Sequence, residues 1–453
     1  MSRLFGTDGI RALAGEYPLD PATIFKVGKH LVRLGRRNII VGRDTRASGV
    51  WMEKVLQQAI ESEGGSATLA GVITTPGISF LSRTVPFDAG VMISASHNPY
   101  QDNGIKIFSR QGAKLSDEEE DRLGEALAED PGRANASSVS DEGQNLTYFQ
   151  QESVDGYINF LAGTVSVDSL ERLRVVLDCA NGASFYIGPE TFRRMGADVI
   201  AINTVPDGRN INSDCGALYP GEMARAVVES GASFGVAFDG DSDRSIFADH
   251  EGNLLDGDHV LFILACHLRE QKRMNSSVVV TTVMANLGLE IALREKGLQM
   301  VRTRVGDRYV LEEMLRGDHA LGGEQSGHII IRDHSPAGDG IQTALKIAQI
   351  IIGQEHSLAD LAGGLKKYPQ VLVNVSVREK VDYSAIPAIQ SAIDEVERSL
   401  GQRGRVLVRY SGTEPLVRIM LEGKDEGQIK RFADKIAARF NKYLGPDKLI
   451  TDR

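Results

Sequence analysis

From Asn38 to about residue 352 the chain repeats one unit: a short aliphatic run, a glycine-rich turn and a helical pattern, over ~30 residues each time. Ile39-Ile40-Val41 leads through Gly42-Arg43-Asp44-Thr45-Arg46 into a helix over 51–62, which Gly64-Gly65 ends. Parallel strands cannot be joined by a tight turn, so a repeat of this kind forces parallel sheets covered by crossover helices. Strands over 67–70, 89–94, 174–177, 198–202, 234–238, 277–281 and 299–301 continue it. Helices over 77–82, 154–161, 184–195, 222–230, 260–269, 287–296, 309–315 and 341–352 alternate with them. Ser116 and Glu119 form a capping box that opens one further helix, which makes the acidic run 117–121 a helix start on a solvated face.

Two places break the pattern. Between 129 and 145 the chain turns polar and small, with Asp130-Pro131-Gly132 and Ser137-Ser138, as a surface connection near a domain boundary does. Past about residue 368 the order changes to strand 371–377, helix 386–400, a hairpin of 404–410 with 416–422, and a last helix over 425–444. That is the order of a small α+β domain. The expected fold class is α/β: three α/β domains with parallel-rich mixed sheets, plus a smaller C-terminal α+β domain. The expected boundaries are 1–150, 151–252, 253–367 and 368–453.

Charge and cysteine content narrow the function. The 51 Lys and Arg against 61 Asp and Glu give a net charge of −10, the wrong sign for sustained contact with a nucleic-acid backbone. Cys179, Cys215 and Cys266 are far apart and form no C-x-x-C pair, so a disulfide framework and a zinc ribbon are not expected, and a reducing cytoplasm is. No apolar stretch approaches the ~20 residues that span a bilayer, and the N-terminus lacks a signal-like apolar core, so no membrane partner is expected. P-loop, dinucleotide-binding and G-x-S-x-G signatures are missing, so nucleotide hydrolysis, dinucleotide redox and α/β-hydrolase chemistry lack their usual marks.

Five segments remain for the chemistry. Asp239-Gly240-Asp241-Ser242-Asp243-Arg244 follows an apolar strand and places three carboxylates at i, i+2 and i+4, where they can converge on a hard cation such as Mg²⁺. An EF-hand loop would need Gly and Glu where Arg244 and His250 stand; a solvated Asp/Gly turn has the same composition. Ser94-Ala95-Ser96-His97-Asn98-Pro99 also ends an apolar strand, and Ser96 there is either a nucleophile or phosphoryl carrier, or the capping serine of an Asn-Pro turn. In Gly322-Gly323-Glu324-Gln325-Ser326-Gly327-His328, alternation would aim Glu324, Ser326 and His328 one way, toward sugar hydroxyls, unless the segment is a tight turn with solvated side chains. Arg409, Ser411, Gly412, Thr413 and Arg418 make either a phosphate cradle or a hairpin turn with surface arginines. Arg11, after Gly6 and Gly9, either reaches a phosphate or lies in a loose N-terminal turn.

Together, and in this order along nearly the whole chain, these segments resemble the α-D-phosphohexomutase superfamily, most closely its phosphoglucosamine mutase branch. Phe5-Gly6-Thr7-Asp8-Gly9-Ile10-Arg11, Gly323-Glu324-Gln325-Ser326-Gly327-His328 and Val305-Gly306-Asp307-Arg308-Tyr309-Val310 carry the likeness to that branch rather than to the phosphoglucomutase or phosphomannomutase branches, which use the same machinery. The resemblance implies four domains around a central cleft and an isomerase-class intramolecular phosphotransferase. It would interconvert glucosamine 6-phosphate and glucosamine 1-phosphate, feeding UDP-N-acetylglucosamine and cell-envelope precursors, with hexosamine 1,6-bisphosphate as intermediate and activator. Ser96 would carry the phosphoryl group; Mg²⁺ would sit on Ser96, Asp239, Asp241 and Asp243; and Arg11, His97, Lys106 and Arg244 would surround the transfer. Glu324, Ser326 and His328 would hold the sugar, and Arg409, Ser411, Gly412, Thr413 and Arg418 the nonreacting phosphate. The partner is then a small phosphosugar, and a homodimer is left open. Ala12, Ser242 and Tyr410 depart from the family pattern, Tyr410 standing where Lys is usual.

Overall fold

A computed structural model describes residues 4–6, 8–129, 145–166, 169–411 and 414–446. Contacts divide the chain into two compact units, residues 1–285 with 296–364, and residues 286–295 with 365–453. The polar connection expected over 129–145 falls mostly outside the described residues.

The larger unit contains three mixed sheets built on one plan. In the first, Asn38–Arg43 runs parallel to Ser66–Val72 and Ala89–Ile93, and Ala89–Ile93 then pairs antiparallel with Asp102–Ser109, which pairs antiparallel with Ile10–Leu13. In the second, Arg174–Asp178 is parallel to Asp198–Ile202 and Phe234–Phe238, and Ser245–Asp249 returns antiparallel to Phe234–Phe238. In the third, Val278–Thr282 is parallel to Gln299–Thr303 and Leu321–Gly323, and Ile329–Ile331 returns antiparallel. The parallel strands are the ones read from the sequence, except Leu321–Gly323, whose glycines read as part of a turn motif; the return strands are not. Asp102-Asn103-Gly104 opens its strand with turn residues, and Ser245–Asp249 and Ile329–Ile331 are too short to show a period.

The return strands place the motifs. Three of the motif segments are loops between a parallel strand and its antiparallel return, 94–101, 239–244 and 324–328, while Arg11 lies on strand Ile10–Leu13. The parallel cores are apolar on both faces, as sheets covered by helices require. In the first sheet, Ile39, Val41, Val91 and Ile93 are fully buried against helices Pro21–Arg33, Ala47–Ser62 and Asp117–Glu129. The Ser116–Glu119 capping box is present, with Ser116 N–H donating to Glu119 and Glu119 N–H to Ser116 Oγ. The run after it is not wholly solvated: Glu120 is buried and accepts from Arg308 (2.6 Å), which also pairs with Asp117. A buried carboxylate of this kind needs a distant partner that chain-local patterning does not reveal.

The smaller unit has an antiparallel sheet in the order Gln370–Ser376, Leu416–Gly423, Gly404–Tyr410. Helices Pro387–Leu400 and Glu426–Leu444 supply Ile389, Val396, Ile436 and Phe440 to a core with Val417, Ile419 and Leu421. Helix Leu287–Glu295 belongs to this unit. The fully buried Glu422 carboxylate accepts from Leu287 N–H (3.2 Å), Asn286 Nδ2 (3.2 Å) and Arg405 Nε (2.9 Å), a favourable placement of negative charge at a helix start.

Candidate active site

Ser96 lies in the loop that follows Ala89–Ile93 and is almost fully buried in the left-handed region, at φ 54. A non-glycine residue there costs on the order of 1–2 kcal/mol, so its surroundings must hold it. They do so through Arg46. The fully buried guanidinium is fixed by Asp44 (2.8 Å) and donates to the carbonyls of Ser96 (3.0 Å), Asn98 (2.8 Å), Asp102 (2.9 Å) and Pro99. Asp44 in turn accepts from Ser94 Oγ (2.7 Å), which accepts from Ser96 N–H (2.9 Å). Asn212 Nδ2 donates to the same Ser96 and Asn98 carbonyls, at 2.9 and 3.0 Å. The turn Gly42-Arg43-Asp44-Thr45-Arg46, read from the sequence only as a connection, is thus the clamp of the serine loop.

Ser96 Oγ donates to Asp239 Oδ2 at 2.5 Å, and His97 Nδ1 is 3.2 Å away. Gly240 makes this approach possible, since a Cβ there would come within 2.6 Å of the Ser96 carbonyl oxygen. Burial, then the positive charges of Arg244 and Arg11, push the His97 imidazole down to about 4, so it is neutral at physiological pH.

Asp239, Asp241 and Asp243 are all buried and bring ligand oxygens within 4.8 Å of one another. Burial and the charges of Asp243 and Asp241 raise the Asp239 carboxyl well above its ordinary value. Asp243 goes the other way: burial works against ionisation, but Lys106 and His328 outweigh it and hold the carboxyl low. Lys106, fully buried, donates to Asp241 (2.8 Å) and Asp243 (3.4 Å), and Thr75 Oγ1 donates to Asp241 (2.5 Å). Even so, Asp241 Oδ1 and Asp243 Oδ1 are buried without any hydrogen-bond partner. Such orphan anionic oxygens are costly, and a hard divalent cation is the group they fit.

The cleft beside this triad encloses about 470 Å³ and is lined by Asp8, Arg11, Lys114, Arg244, Asp307 and Glu324 among others. Asp8 anchors its cations, pairing with Arg11, Lys106 and Lys114. Burial alone would raise Asp8; the three cations prevail and hold it well below the usual carboxylate range. Gly9, at φ 79, lets the N-terminal segment pass so close to Ile105 O that a side chain would collide. Arg11 reaches the serine loop, donating to Ala95 O (3.3 Å) and Asn98 Oδ1 (3.4 Å).

The segment 324–328 is a hairpin turn, which corrects the expected alternation. Glu324 N–H donates to His328 O (2.8 Å), and Gly327 N–H to Glu324 O (3.0 Å). Glu324 and His328 line the cleft, whereas Ser326 is not among its lining residues and sets its Oγ 3.5 Å from Glu324 Oε2. A five-residue link between paired strands cannot keep a two-residue period.

In the smaller unit the expected hairpin is present, and Arg409 is the direct cross-strand partner of Arg418. Burial and the neighbouring Arg418 charge lower the Arg409 guanidinium, the signature of two like charges side by side. Ser411 is buried at the turn; Gly412 and Thr413 lie outside the described residues. Tyr410 points to the opposite face by strand alternation, where it packs on the core with its ring 5.9 Å from that of Tyr383.

The structure thus brings Ser96, Lys106 and the three aspartates into one cluster, which Asp44, Arg46, Thr75, Lys114 and Asn212, not singled out in the sequence, hold from other segments. Asp8 and Asp307 stand in the segments 5–11 and 305–310, where an acid between two glycines and an acid at a helix start are the sequence signals they carry.

Four family models together match most of the chain. Residues 2–132, 155–252 and 256–368 match the models of phosphoglucomutase/phosphomannomutase alpha/beta/alpha domains I, II and III, and residues 372–439 match that of the C-terminal domain. A phosphoglucosamine mutase from Geobacter sp. (strain M21) is 45% identical, covering 98% of this chain and 99% of its own. One from Solibacter usitatus is 46% identical with the same coverage. Among solved structures, a phosphoglucomutase/phosphomannomutase family protein from Burkholderia thailandensis matches with a TM-score of 0.78 at 20% identity, over 98% of both chains. The N-acetylphosphoglucosamine mutase of Aspergillus fumigatus, in complex with GlcNAc-6P and magnesium, matches with a TM-score of 0.67 at 20% identity, over 97% of this chain and 95% of that one.

Proposed function

This chain belongs to the phosphoglucomutase/phosphomannomutase family, and on that premise we propose that it interconverts glucosamine 6-phosphate and glucosamine 1-phosphate through a phosphorylated Ser96. Full-length identity of about 45% to phosphoglucosamine mutases supports the substrate. Ser96 Oγ, held against three buried aspartates with two unpartnered oxygens, supports the chemistry.

Phosphorylated Ser96 gives its phosphoryl group to the C1 hydroxyl of glucosamine 6-phosphate, forming the 1,6-bisphosphate. The bond to Ser96 Oγ breaks, the sugar hydroxyl loses a proton and Oγ gains one. The bisphosphate then turns over, returns its C6 phosphoryl group to Ser96 and leaves as glucosamine 1-phosphate. Asp239, Asp241 and Asp243, with the oxygen on Ser96, are the residues that would hold Mg²⁺. Bound there, Mg²⁺ supplies positive charge to the oxygens of the transferring group. Lys106, Arg11 and Arg244 add fixed cations around the buried Ser96, where preorganised charge counts most. Neutral His97 beside Ser96 Oγ can accept a hydrogen bond from the serine once it is free. Glu324 and His328 meet the sugar, with Ser326 bracing Glu324. Arg409, Arg418 and Ser411, with Gly412 and Thr413 of the same motif, take the phosphate that is not being transferred.

No helix among the described residues is long and apolar enough to cross a membrane. The three cysteines are free thiols, which supports action in the reducing cytoplasm. Parallel assays of the purified, phosphorylated enzyme on glucosamine, glucose and mannose phosphates test the substrate. The highest kcat/KM is expected on glucosamine phosphate; an equal or higher value on a glucose phosphate overturns the assignment.

A further inference from the structure

An amino sugar differs from glucose by one positive charge, so a site that prefers it needs a carboxylate that is not committed elsewhere. The cleft has four carboxylates: Asp8, Asp243, Asp307 and Glu324. Asp8 faces three cations, Asp243 belongs to the metal triad, and Glu324 accepts from Gly306 N–H (3.1 Å) with its other oxygen toward Ser326. Asp307 is different. Its hydrogen-bond donor is the ammonium of Lys114, at 2.6 Å. His328 Nε2 is 3.6 Å away but accepts from Gly338 N–H (3.1 Å), which leaves the ring proton on Nδ1, toward Asp243.

The geometry points to Asp307 as the carboxylate that receives the 2-ammonium group of a hexosamine phosphate, with Lys114 holding that position in the free protein. This rests on the amino-sugar mutase function proposed above and names the residue that sets its preference. Three features fit the role. Lys114 is shared between Asp307 and Asp8, so it can release Asp307 and remain paired. Asp307 sits at the first position of helix Asp307–Arg316, next to Gly306, whose amide is bound to the sugar-facing Glu324. The adjacent Arg308 fastens this start to helix Asp117–Glu129 through Asp117 and Glu120, so the carboxylate is placed by fixed backbone while the lysine opposite it has four rotatable bonds.

The test compares kcat/KM on glucosamine 6-phosphate and glucose 6-phosphate for the wild type, Asp307→Asn and Lys114→Met, with a melting curve for each. Loss of a charged hydrogen bond predicts that Asp307→Asn falls about 10- to 100-fold on glucosamine 6-phosphate while glucose 6-phosphate is nearly unaffected. Lys114→Met, which frees the carboxylate, is expected to raise the ratio in favour of the amino sugar. If Asp307→Asn melts early, Lys114→Met alone decides, and a ratio that stays level or falls overturns the proposal. A native-like Asp307→Asn that loses both substrates equally overturns it as well. A wild type that prefers glucose 6-phosphate sinks the amino-sugar function itself, a result distinct from a preference that survives Asp307→Asn.

Discussion

The serine and aspartate loops of the larger unit and the 411–415 turn of the smaller one are both hairpin links rich in charge, yet they treat charge in opposite ways. In the first, every cation has its anion inside: Lys106 donates to Asp241, Arg46 to Asp44, and Asp8 faces three cations. In the second, two arginines stand side by side across a ladder, and Arg418 donates to Glu414 at 3.4 Å. Buried charges matched by opposite charges organise a reaction, whereas two like charges paired across a half-exposed ladder are eased when an anion binds beside them. Chemistry should therefore respond to changes in the first region, and substrate affinity to changes in the second.

Ser96→Ala should break the comparison at its strongest point, lowering kcat by about 10⁴-fold or more while phosphosugar binding, read by calorimetry, stays nearly intact. Arg46→Met comes next. It leaves the buried Asp44 carboxylate without its cation and removes a donor from four loop carbonyls, and should cost about 3–5 kcal/mol of stability, measured by denaturant unfolding. Asp8→Asn is milder, at about 2 kcal/mol near neutral pH. Because the folded state holds Asp8 below its unfolded value, its stabilisation is present above the ordinary carboxyl range and lost as pH falls through the lowered value. The variant should accordingly show a flatter acid limb in a plot of stability against pH. Arg418→Met should raise KM about tenfold with kcat little changed. Tyr410→Lys should do least, because position 410 faces the core of its unit; a marked fall in KM would place that side chain on the phosphate face after all.

Much of this organisation is legible in the sequence, and the gaps have physical causes. Parallel strands such as Phe234–Phe238 announce themselves as unbroken apolar runs because both faces are buried. Their return strands are short, or begin with turn residues, so only the fourth hairpin, with seven or more residues on each side, is readable as a hairpin. The aspartate triad and Ser96 could be named because chemistry crowds several functional residues into one loop. Arg46, Thr75 and Asn212 act across long sequence separations, and each looks like ordinary turn or helix-start chemistry until the fold brings it to its partner.

Ser96 as the phosphoryl carrier is the point on which the account stands. It can be tested by incubating the enzyme with labelled glucosamine 1,6-bisphosphate and Mg²⁺, then locating the label by phosphopeptide mass spectrometry. Label on Ser96 that is discharged by excess glucosamine 6-phosphate is the predicted result. Label on Asp239 or Asp241, with none on Ser96, would contradict it.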